Sequence, residues 1–343
     1  AGDLDHRMRD PVAAYALSAA REAIAQAGLQ PGDFGDSCGV VVGSGFGGAK
    51  TLDANYMAFG VDRKMRLDPM AVPKIMTNAA ASWVSMEFGA TGPIYAPSTA
   101  CSSGSQSIGL AYQMLRGGAM QRCLAGGAEA CLVSGVFRAW ELLRVMTADK
   151  NRPFSRDRNG MTLGEGAAIV VLETLDSARA RGAEILCEIV GYGTNSDAGD
   201  LLRPDPTRAA ACMKLALADA GMAPSDVGYV NAHGTGTVAN DVTEVGALRA
   251  VFGDGLEGVE MSSTKPIHGH ALGAAGAIEA VVSVAALRQQ IAPPTINFNE
   301  VDPKIGLDPV ANKARDIDGR AVMSNSLAFG GVNASLIFAG FDG

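Results

Sequence analysis

A cysteine among small residues is the first feature of this sequence that could perform covalent chemistry. Cys101 lies in the segment STACSSGSQ, directly before an apolar helical pattern. A thiol at the start of a helix is close to unpaired N–H groups and to the positive end of the helix dipole. These groups favour the thiolate and can also bind an oxyanion. The small neighbours leave room for a thioester, so the segment predicts a nucleophile that accepts an acyl group.

Two further glycine-rich segments carry basic side chains. His233 belongs to NAHGTGT, and both Lys265 and His270 belong to SSTKPIHGHALGAAGAIEA. Each segment follows an apolar strand pattern, and loops at the carboxyl ends of strands gather at one edge of an α/β sheet. We therefore expect these three residues to converge with Cys101 on one cleft.

Two similar segments, which align without a gap, indicate how the chain is organised. AIAQAGLQPGDFG and ALADAGMAPSDVG each end an alanine-rich helical pattern at a glycine and lead into an apolar strand. Apolar runs alternate with helical patterns throughout, which is typical of buried, mostly parallel strands. The sequence predicts an α/β fold of two fused halves, 1–180 and 181–343, with buried central helices. Strands are expected near residues 38–43, 122–126, 166–173, 185–192, 227–232, 259–263, 320–324 and 334–340.

Composition limits the classes of partner. The 343 residues are 48% hydrophobic and carry a formal net charge of −8, which predicts no general affinity for nucleic acid or membrane surfaces. The six cysteines show no CxxC pattern, which argues against a disulfide framework or a zinc site. With no signal peptide pattern and no uninterrupted apolar stretch of membrane-spanning length, a reducing, cytoplasmic location is expected.

Six segments, in order along the chain, carry a family resemblance: STACSSG, PFSRDRNGMTLGEGA, NAHGTGT, STKPIHGHALGAAGAIEA, APPTINF and SNSLAFGGVNA. The chain resembles the class I/II β-ketoacyl-acyl-carrier-protein synthases, which have the thiolase fold. This implies a layered α-β-α-β-α arrangement. The family's usual first strand and the helix after it have no counterpart in this sequence.

The resemblance implies a decarboxylative Claisen condensation in fatty acid elongation or in a related polyketide or nodulation-type pathway. Cys101 would hold the acyl primer. His233 and His270 would stabilise the enolate that forms when a malonyl thioester loses CO2. No second reactive cysteine of the thiolase type follows Cys212, which favours decarboxylation over proton abstraction.

Further roles follow from the same resemblance. Lys265 would support the site, paired with Glu279. The backbone N–H groups of Cys101 and Phe329 would form the oxyanion hole, and Phe329 would act as a gate. Thr235 and Thr237 would hold the phosphopantetheine arm.

The resemblance also implies substrates and partners. An acyl carrier protein would bring acyl and malonyl thioesters on its own phosphopantetheine, so no resident cofactor and no metal are expected, and a homodimer is expected. Phe46 and Trp140 are predicted to narrow the acyl pocket and to favour short or medium primers. The predicted carrier-docking residues are Arg63, Lys64, Arg66 and Arg144.

Three alternatives compete with this interpretation. GSGFGG fits a dinucleotide-binding turn, but no second strand ending in an acid follows it. His268 and His270 form an HxH pair that could bind a metal, although no carboxylate occurs nearby before Glu279. A non-catalytic chain-length-factor-like subunit would share the fold but lack the nucleophile that Cys101 supplies.

Overall fold

A computed structural model describes residues 8–341 of the protein. The outermost residues of the two predicted halves, 1–7 and 342–343, lie outside the described residues. The helices of this part of the chain are α1 (Pro11–Gln26), α2 (Ala49–Tyr56), α3 (Ala71–Ile75), α4 (Ala79–Phe88), α5 (Ser103–Arg116), α6 (Ser134–Leu142), α7 (Leu175–Ala180), α8 (Pro206–Ala220), α9 (Val238–Phe252), α10 (Lys265–His268) and α11 (Ala275–Gln289). The strands are β1 (Cys38–Gly43), β2 (Ile94–Tyr95), β3 (Arg122–Glu129), β4 (Gly166–Glu173), β5 (Glu188–Ser196), β6 (Val227–Asn231), β7 (Glu260–Ser262), β8 (Ile291–Ala292), β9 (Arg315–Asp316), β10 (Ala321–Ala328) and β11 (Val332–Ala339).

The strands form two main sheets. The first has the order β2-β1-β3-β4, and only its β3–β4 pairing is antiparallel. The second has the order β5-β11-β10-β6-β7, with β6 parallel to β10 and β7, and with β11 antiparallel to both of its neighbours. The short strands β8 and β9 pair separately. Four of these eight pairings are parallel and four are antiparallel, so the expectation of mostly parallel strands is wrong for the described part of the chain.

Two helices, α5 and α11, lie between the sheets. One buried cluster combines side chains of both sheets and both helices, among them Val41, Ile108, Tyr229, Ala280 and Leu336. Helices α1 and α4 cover the outer face of the first sheet, and α8 and α9 cover that of the second. The result is five layers, α-β-α-β-α, in which the central helices are apolar because sheets cover them on both sides.

The repeated segments adopt the same local structure. In each, an alanine-rich helix ends, a 3₁₀ turn follows, and a buried strand begins. Asp33 accepts the backbone N–H of Gln30 at 2.7 Å, and Asp226 accepts that of Ala223 at 2.9 Å. The two copies lie on the outer faces of the two sheets.

One described helical stretch, Leu272–Gln289, has the length and apolar composition of a membrane span. Glu279 and Arg288 interrupt this stretch, so it is not the uninterrupted apolar run that the sequence was expected to lack. The stretch is 61% buried and contains α11 of the central layer, and this burial accounts for its composition.

Candidate active site

The nucleophile segment forms a tight turn that follows β2 and leads into α5. Ala100 has a left-handed backbone with φ 51°, and Cys101 follows it in a 3₁₀ turn. Hydroxyls hold this conformation: Ser103 Oγ donates to Ala100 O at 2.7 Å, and Ser102 Oγ donates to Thr99 O at 2.9 Å. The serines around the cysteine therefore satisfy the polar groups of a sharp turn.

The small residues after Cys101 allow two helices to meet closely. A Cβ atom built on Gly104 would lie 2.7 Å from the backbone nitrogen of Ala277, and one on Gly276 would lie 2.1 Å from Ser105 Oγ. Any larger side chain at these glycines would force α5 and α11 apart. The glycines thus allow the first turns of the two central helices to pack closely against each other beside Cys101.

The structure brings the predicted thiol and imidazoles together. Cys101, His233 and His270 each offer one ligand-type atom, and these three atoms lie within 4.8 Å of one another. The imidazole rings meet edge to face, with centroids 5.4 Å apart. Burial, followed by the positive charge of Lys265, holds the pKa of both histidines well below 6.5. Both rings are therefore neutral at pH 7.

The electrostatics of the thiol differ from the prediction. Burial raises the pKa of Cys101 to about 11, although the ammonium of Lys265 and the backbone N–H of Phe329 both act to lower it. Only 5% of this residue is exposed. Removal from water outweighs these two influences, and the pKa therefore runs against the predicted preference for thiolate in the free protein.

Lys265 lies at the centre of a buried network. Its ammonium lies 3.4 Å from Nδ1 of His233 and also donates to the backbone oxygen of that histidine and to Glu279. An ammonium can only donate, so Nδ1 of His233 accepts and Nε2 carries the proton. Burial raises the pKa of Glu279 to about 7, and the charge of Lys265 opposes this rise. The network orients His233 as a neutral N–H donor.

Two buried acids on α9, which the sequence interpretation missed, hold the first histidine loop. Glu244 accepts the backbone N–H groups of His233 at 2.7 Å and Gly234 at 2.8 Å. Asp241 accepts that of Gly236 at 3.2 Å. Acids three residues apart on one apolar helix, just after NAHGTGT, are the sequence signal that could have revealed them.

The second histidine is fixed by the strand-like segment before β4. The backbone N–H of His270 donates to Thr162 O at 2.7 Å, and the N–H of Gly164 donates to His270 O at 3.0 Å. Nδ1 of His270 is buried and has no hydrogen-bond partner among the described residues. The segment NGMTLGEG therefore positions His270 through its backbone.

The turn between β10 and β11 carries Phe329. Gly330 and Gly331 have φ values of 84° and 69°, and a Cβ on Gly331 would lie 2.6 Å from Cβ of Asp197. This turn places the Phe329 ring against Trp140, with centroids 5.5 Å apart and planes 19° apart. The two aromatic rings pack in one cluster with Cys101.

A cavity of about 270 Å³ leads to the thiol. Its lining includes most of the predicted catalytic and substrate-binding residues and two basic side chains: Cys101, Trp140, Arg144, Arg203, His233, Thr235, Thr237, His270 and Phe329. The two threonine hydroxyls lie 2.9 Å apart. Arg203 was not predicted from the sequence.

Phe46 does not line this cavity in the described chain. Its side chain is 41% exposed, while its backbone N–H donates to the buried Glu129 at 3.3 Å. The predicted place of Phe46 at the end of the pocket is therefore not found in the single chain. The same acid accepts the N–H of Gly45 at 2.8 Å, so the amides of GSGFGG bind a carboxylate of the protein instead of a pyrophosphate. The dinucleotide-binding alternative is wrong.

The predicted basic run lies away from the cavity, because none of its three residues lines it. Lys64 pairs with Asp62 at 2.9 Å on the surface, and Arg66 lines a separate groove beside α2. Arg63 is exposed and has a left-handed backbone. Of the four predicted docking residues, only Arg144 lies at the cavity.

His268 is not a solvated loop residue. It ends α10, is half-buried, and both ring nitrogens have partners, Thr264 Oγ1 at 3.1 Å and Gly269 O at 2.7 Å. Burial lowers its pKa to about 4. His268 is not part of the group formed by Cys101 and the other two histidines.

The spacing of Cys101, His233 and His270 would also suit a metal ion. The ammonium of Lys265 beside His233 disfavours a second cation there, and the proton on Nε2 would first have to leave. The donor set therefore fits a pair of hydrogen-bond donors facing a thiol better than it fits a metal centre.

Comparisons with known proteins agree with this geometry. The model of the β-ketoacyl synthase N-terminal domain matches residues 4–178, and that of the C-terminal domain matches residues 186–299. The fold is the thiolase-like fold of the ketosynthases. The chain belongs to the β-ketoacyl synthase family and is an acyltransferase that condenses acyl units during chain elongation.

Individual relatives span nearly the whole chain. Nodulation protein E of Rhizobium sp. (strain N33) is 43% identical over 98% of this chain and 85% of its own length. 3-Oxoacyl-[acyl-carrier-protein] synthase 2 of Staphylococcus aureus (strain N315) is 40% identical over 98% of this chain and 83% of its own length. A similar solved structure is AntDE:AntF, a type II PKS acyl-carrier protein in complex with its ketosynthase bound to the hexaketide. The matched chain aligns with a TM-score of 0.92 and 29% identity over 97% of this chain and 85% of its own length.

Proposed function

We propose that this enzyme joins a malonyl thioester to an acyl primer held on Cys101, and that an acyl carrier protein delivers both. The observation that carries the proposal is the convergence of the thiol with two neutral imidazoles within 4.8 Å. Relatives are named as acyl-carrier-protein synthases, and one similar ketosynthase binds its carrier.

The first half-reaction is acyl transfer. Sγ of Cys101 attacks the carbonyl of the primer thioester, the new C–S bond forms, and the bond to the pantetheine sulfur breaks. The proton of Sγ goes, overall, to the departing thiolate, so the raised pKa of Cys101 does not require a free thiolate at rest. The N–H of Phe329, which faces Sγ, and that of Cys101 bind the developing oxyanion.

The second half-reaction is decarboxylation and condensation. The malonyl thioester loses CO2, and the electron pair of the broken C–C bond forms an enolate. Its oxygen accepts hydrogen bonds from Nε2–H of His233 and from His270, both neutral. The enolate carbon attacks the acyl carbonyl, the C–S bond to Cys101 breaks, and Sγ regains a proton from solvent.

The deciding experiment separates the two half-reactions. Cys101→Ser should abolish condensation, because a hydroxyl at this site is a far weaker nucleophile. Cys101→Gln should retain decarboxylation of the malonyl thioester, since both histidines remain. The measurements are product formation from malonyl-carrier and a ladder of acyl primers, and CO2 release. Full condensation by Cys101→Ser would overturn the assignment.

No resident cofactor is needed in this proposal. The carbanion comes from decarboxylation, and the reactive thioester arrives on the carrier's phosphopantetheine. The threonine hydroxyls of Thr235 and Thr237 line the cavity and suit the amides of that arm. Lys265 and Glu279 support the histidine without touching the substrate.

A homodimer is proposed from the exposed edge of the first sheet. Strand β2 ends that sheet, and its residues Ile94 and Tyr95 are 41% and 50% exposed. A free, apolar strand edge is a usual place for another chain to pair. Light scattering should give twice the 35.1 kDa chain mass. Tyr95→Lys should yield monomers, and Leu215→Lys on α8 should not; a monomeric wild type would refute the proposal.

A reducing compartment is proposed as the site of action, in line with the cytoplasmic location expected from the sequence. All six cysteines are free, and five of them are buried. Unpaired cysteines are typical of reducing surroundings. Fluorescence microscopy of the tagged chain in its own cell would test this proposal, and export would contradict it.

A further inference from the structure

Arg158 is a buried cation close to the first histidine loop, and it has no role in the reaction described above. It lies in the segment PFSRDRNG, and only 2% of its side chain is exposed. Nε lies 3.5 Å from the carboxylate of Asp241, and Nη1 donates to the carboxylate of Asp302 at 2.6 Å. Nη1 also donates to Ser155 O at 2.9 Å, and Nη2 donates to Val238 O at 3.5 Å. One guanidinium therefore joins three segments of the chain.

The carboxylate of Asp241 links Arg158 to the active-site loop. This side chain is fully buried on α9. One of its oxygens accepts the N–H of Gly236, in the loop that carries His233, at 3.2 Å. The other oxygen accepts the N–H of Phe154 at 2.7 Å. Among residues 8–341, Arg158 is the only cation that forms an ion pair with Asp241. The loop is therefore held by a carboxylate whose charge a single guanidinium balances.

The segment PFSRDRNG and the histidine loop are packed too closely to move separately. Phe154 is fully buried and has a left-handed backbone with φ 64°, a conformation that persists only where the surroundings hold it. A Cβ built on Gly234 would lie 2.9 Å from Cε2 of the Phe154 ring, and one on Gly236 would lie 2.8 Å from Nδ2 of Asn151. The ion pair of Arg158 with Asp241 therefore fixes both segments at once.

The charge of Arg158 acts directly on this carboxyl group. Burial raises the pKa of Asp241, whereas its hydrogen bonds and the charge of Arg158 act to lower it. The other charged groups that face Asp241 are Glu244, further along α9, and Asp302, on the far side of Arg158. Burial raises the pKa of Glu244 to about 7, and the charge of Lys265 opposes that rise. Removal of Arg158 would leave Asp241 facing carboxylates alone, so its pKa would rise further.

We propose that Arg158 is a positioning residue for decarboxylation: it holds Asp241 in place as an anion, and Asp241 holds the loop that presents Nε2–H of His233 to the enolate oxygen. The proposal rests on the proposed condensation function. Arg158 acts through Asp241, because in the described part of the chain it does not line the cavity. A planar guanidinium with five N–H donors can serve two carboxylates and two carbonyl groups together, whereas a lysine ammonium is a single point charge.

The ratio of two rates tests this role. CO2 release from a malonyl-carrier measures decarboxylation, and intact-protein mass spectrometry after mixing with an acyl-carrier measures acylation of Cys101. Both donors bring the same arm to Thr235 and Thr237, so a general weakening of arm binding cancels in the ratio. Acylation uses the thiol and the N–H of Phe329, which lie on other segments, so the ratio isolates the contribution of the histidine loop.

Three variants and one control are compared between about pH 6 and about pH 8.5. The variants are Arg158→Gln, Arg158→Lys and the double variant Arg158→Gln/Asp241→Asn. The control is Arg156→Gln, because Arg156 belongs to the same segment but forms an exposed pair with Glu300 at 3.6 Å. Circular dichroism and thermal melting establish that each variant is folded.

Arg158→Gln should lower the ratio of CO2 release to acylation by up to about a hundredfold, the loss that a displacement of about 1 Å can cause. Relative to the wild type at the same pH, this loss should deepen by up to about tenfold per pH unit as the pH falls, because a protonated Asp241 no longer accepts both N–H groups as an anion. Division by the wild-type value removes the titration of Glu244 and Glu279, whose pKa values are both about 7.

The other variants separate charge from geometry. The double variant should keep a low ratio but lose the added pH dependence, because the amide of Asn does not titrate. Arg158→Lys keeps the charge, so it should give an intermediate ratio with the pH dependence of the wild type. Arg156→Gln should match the wild type in both respects.

Four outcomes would overturn the proposal. The first is a wild-type ratio in folded Arg158→Gln at every pH. The second is an equal loss of both rates, which would indicate a role in stability alone. The third is the same added pH dependence in the double variant, which would assign the titration to another group. If the unpaired Asp241 prevents Arg158→Gln from folding, Arg158→Lys decides the question, and an unchanged ratio in that variant is the fourth.

One further result concerns the condensation function instead. If the wild type releases no CO2 from a malonyl-carrier, the proposed condensation itself is rejected. If the wild type releases CO2 normally and the ratio does not depend on Arg158, only the positioning role is rejected.

Discussion

The ammonium of Lys265 lies 3.4 Å from Nδ1 of His233, and this contact determines which ring nitrogen carries the proton. Because the ammonium only donates, the proton is on Nε2. Lys265 also lowers the pKa of His233, after burial, so the ring stays neutral. The same ammonium pairs with Glu279, whose carboxylate balances its charge away from the substrate.

Replacing Lys265 should therefore damage decarboxylation more than acyl transfer. Lys265→Ala leaves both tautomers of His233 accessible, so only part of the enzyme presents Nε2–H. We expect CO2 release to fall by at most the roughly hundred- to thousandfold that complete loss of one oxyanion donor costs. Breaking this buried pair should cost about 3–5 kcal/mol of unfolding free energy. Lys64→Ala, which breaks an exposed pair, should leave both quantities unchanged. A folded Lys265→Ala enzyme with the wild-type CO2 release rate would contradict this role.

The two histidines should be separable from the thiol. His233→Ala and His270→Ala each remove one donor to the enolate oxygen, so each should lose decarboxylation by roughly a hundred- to thousandfold. Both variants should still form the acyl enzyme, detected by mass spectrometry, because acyl transfer uses the thiol and backbone N–H groups. His268→Ala is the control for an imidazole outside the group around the thiol: it removes bonds to Thr264 and Gly269, so any loss should fall equally on acyl transfer and decarboxylation. If either of the first two variants decarboxylates normally, its histidine does not serve the enolate.

The raised pKa of Cys101 predicts an alkylation profile. Burial raises this pKa to about 11, so between pH 7 and 10 the thiolate fraction, and hence the rate of labelling by iodoacetamide, should rise about tenfold per pH unit. Peptide mass spectrometry of labelled protein measures this rate, with Cys101→Ala to identify the modified site. A plateau near pH 8 would mean that the helix terminus and Lys265 lower the pKa after all.

Much of the site follows from sequence order alone. Cys101 follows β2 of the first sheet, whereas His233 and His270 follow the parallel strands β6 and β7 of the second, and these strand patterns are visible in sequence. Glu244 was missed because an acid inside a helix resembles any surface acid until the helix's buried side is known. Its contact with the His233 backbone depends on how α9 packs against β6.

The expectations that were wrong concern how deeply a side chain is buried and which way it faces. The order of residues indicates that Cys101 begins a helix, but the degree of burial that raises its pKa is a property of the folded layers. Phe46 lies in the loop predicted after β1, yet its exposure depends on the bonds from that loop to Glu129, 83 residues away. Short strands such as β8 and β9 have too few residues to show a period.

The stack of Trp140 on Phe329 predicts which residue limits primer length. Trp140 is buried, lines the cavity and lies against the gate ring, so its indole occupies space that a longer acyl chain would need. Forcing extra carbons into a packed pocket costs roughly 1–3 kcal/mol, or about a ten- to hundredfold bias against long primers. The wild type should therefore prefer short or medium primers.

Trp140→Ala should extend the accepted length, as measured by kcat/KM over a ladder of acyl primers. This variant should lose about 3–5 kcal/mol of stability through the cavity it leaves, so Trp140→Phe serves as the matched variant that keeps an aromatic ring against Phe329. Phe46→Ala tests whether the exposed Phe46 also limits primer length. If this variant accepts longer primers, Phe46 lies at the acyl pocket of the assembled dimer. If its primer-length profile is unchanged, Trp140 alone limits the length. The packing argument fails if the wild type prefers long primers, or if folded Trp140→Ala has an unchanged primer-length profile. Either result would mean that the Trp140 indole does not occupy the space that a longer acyl chain needs.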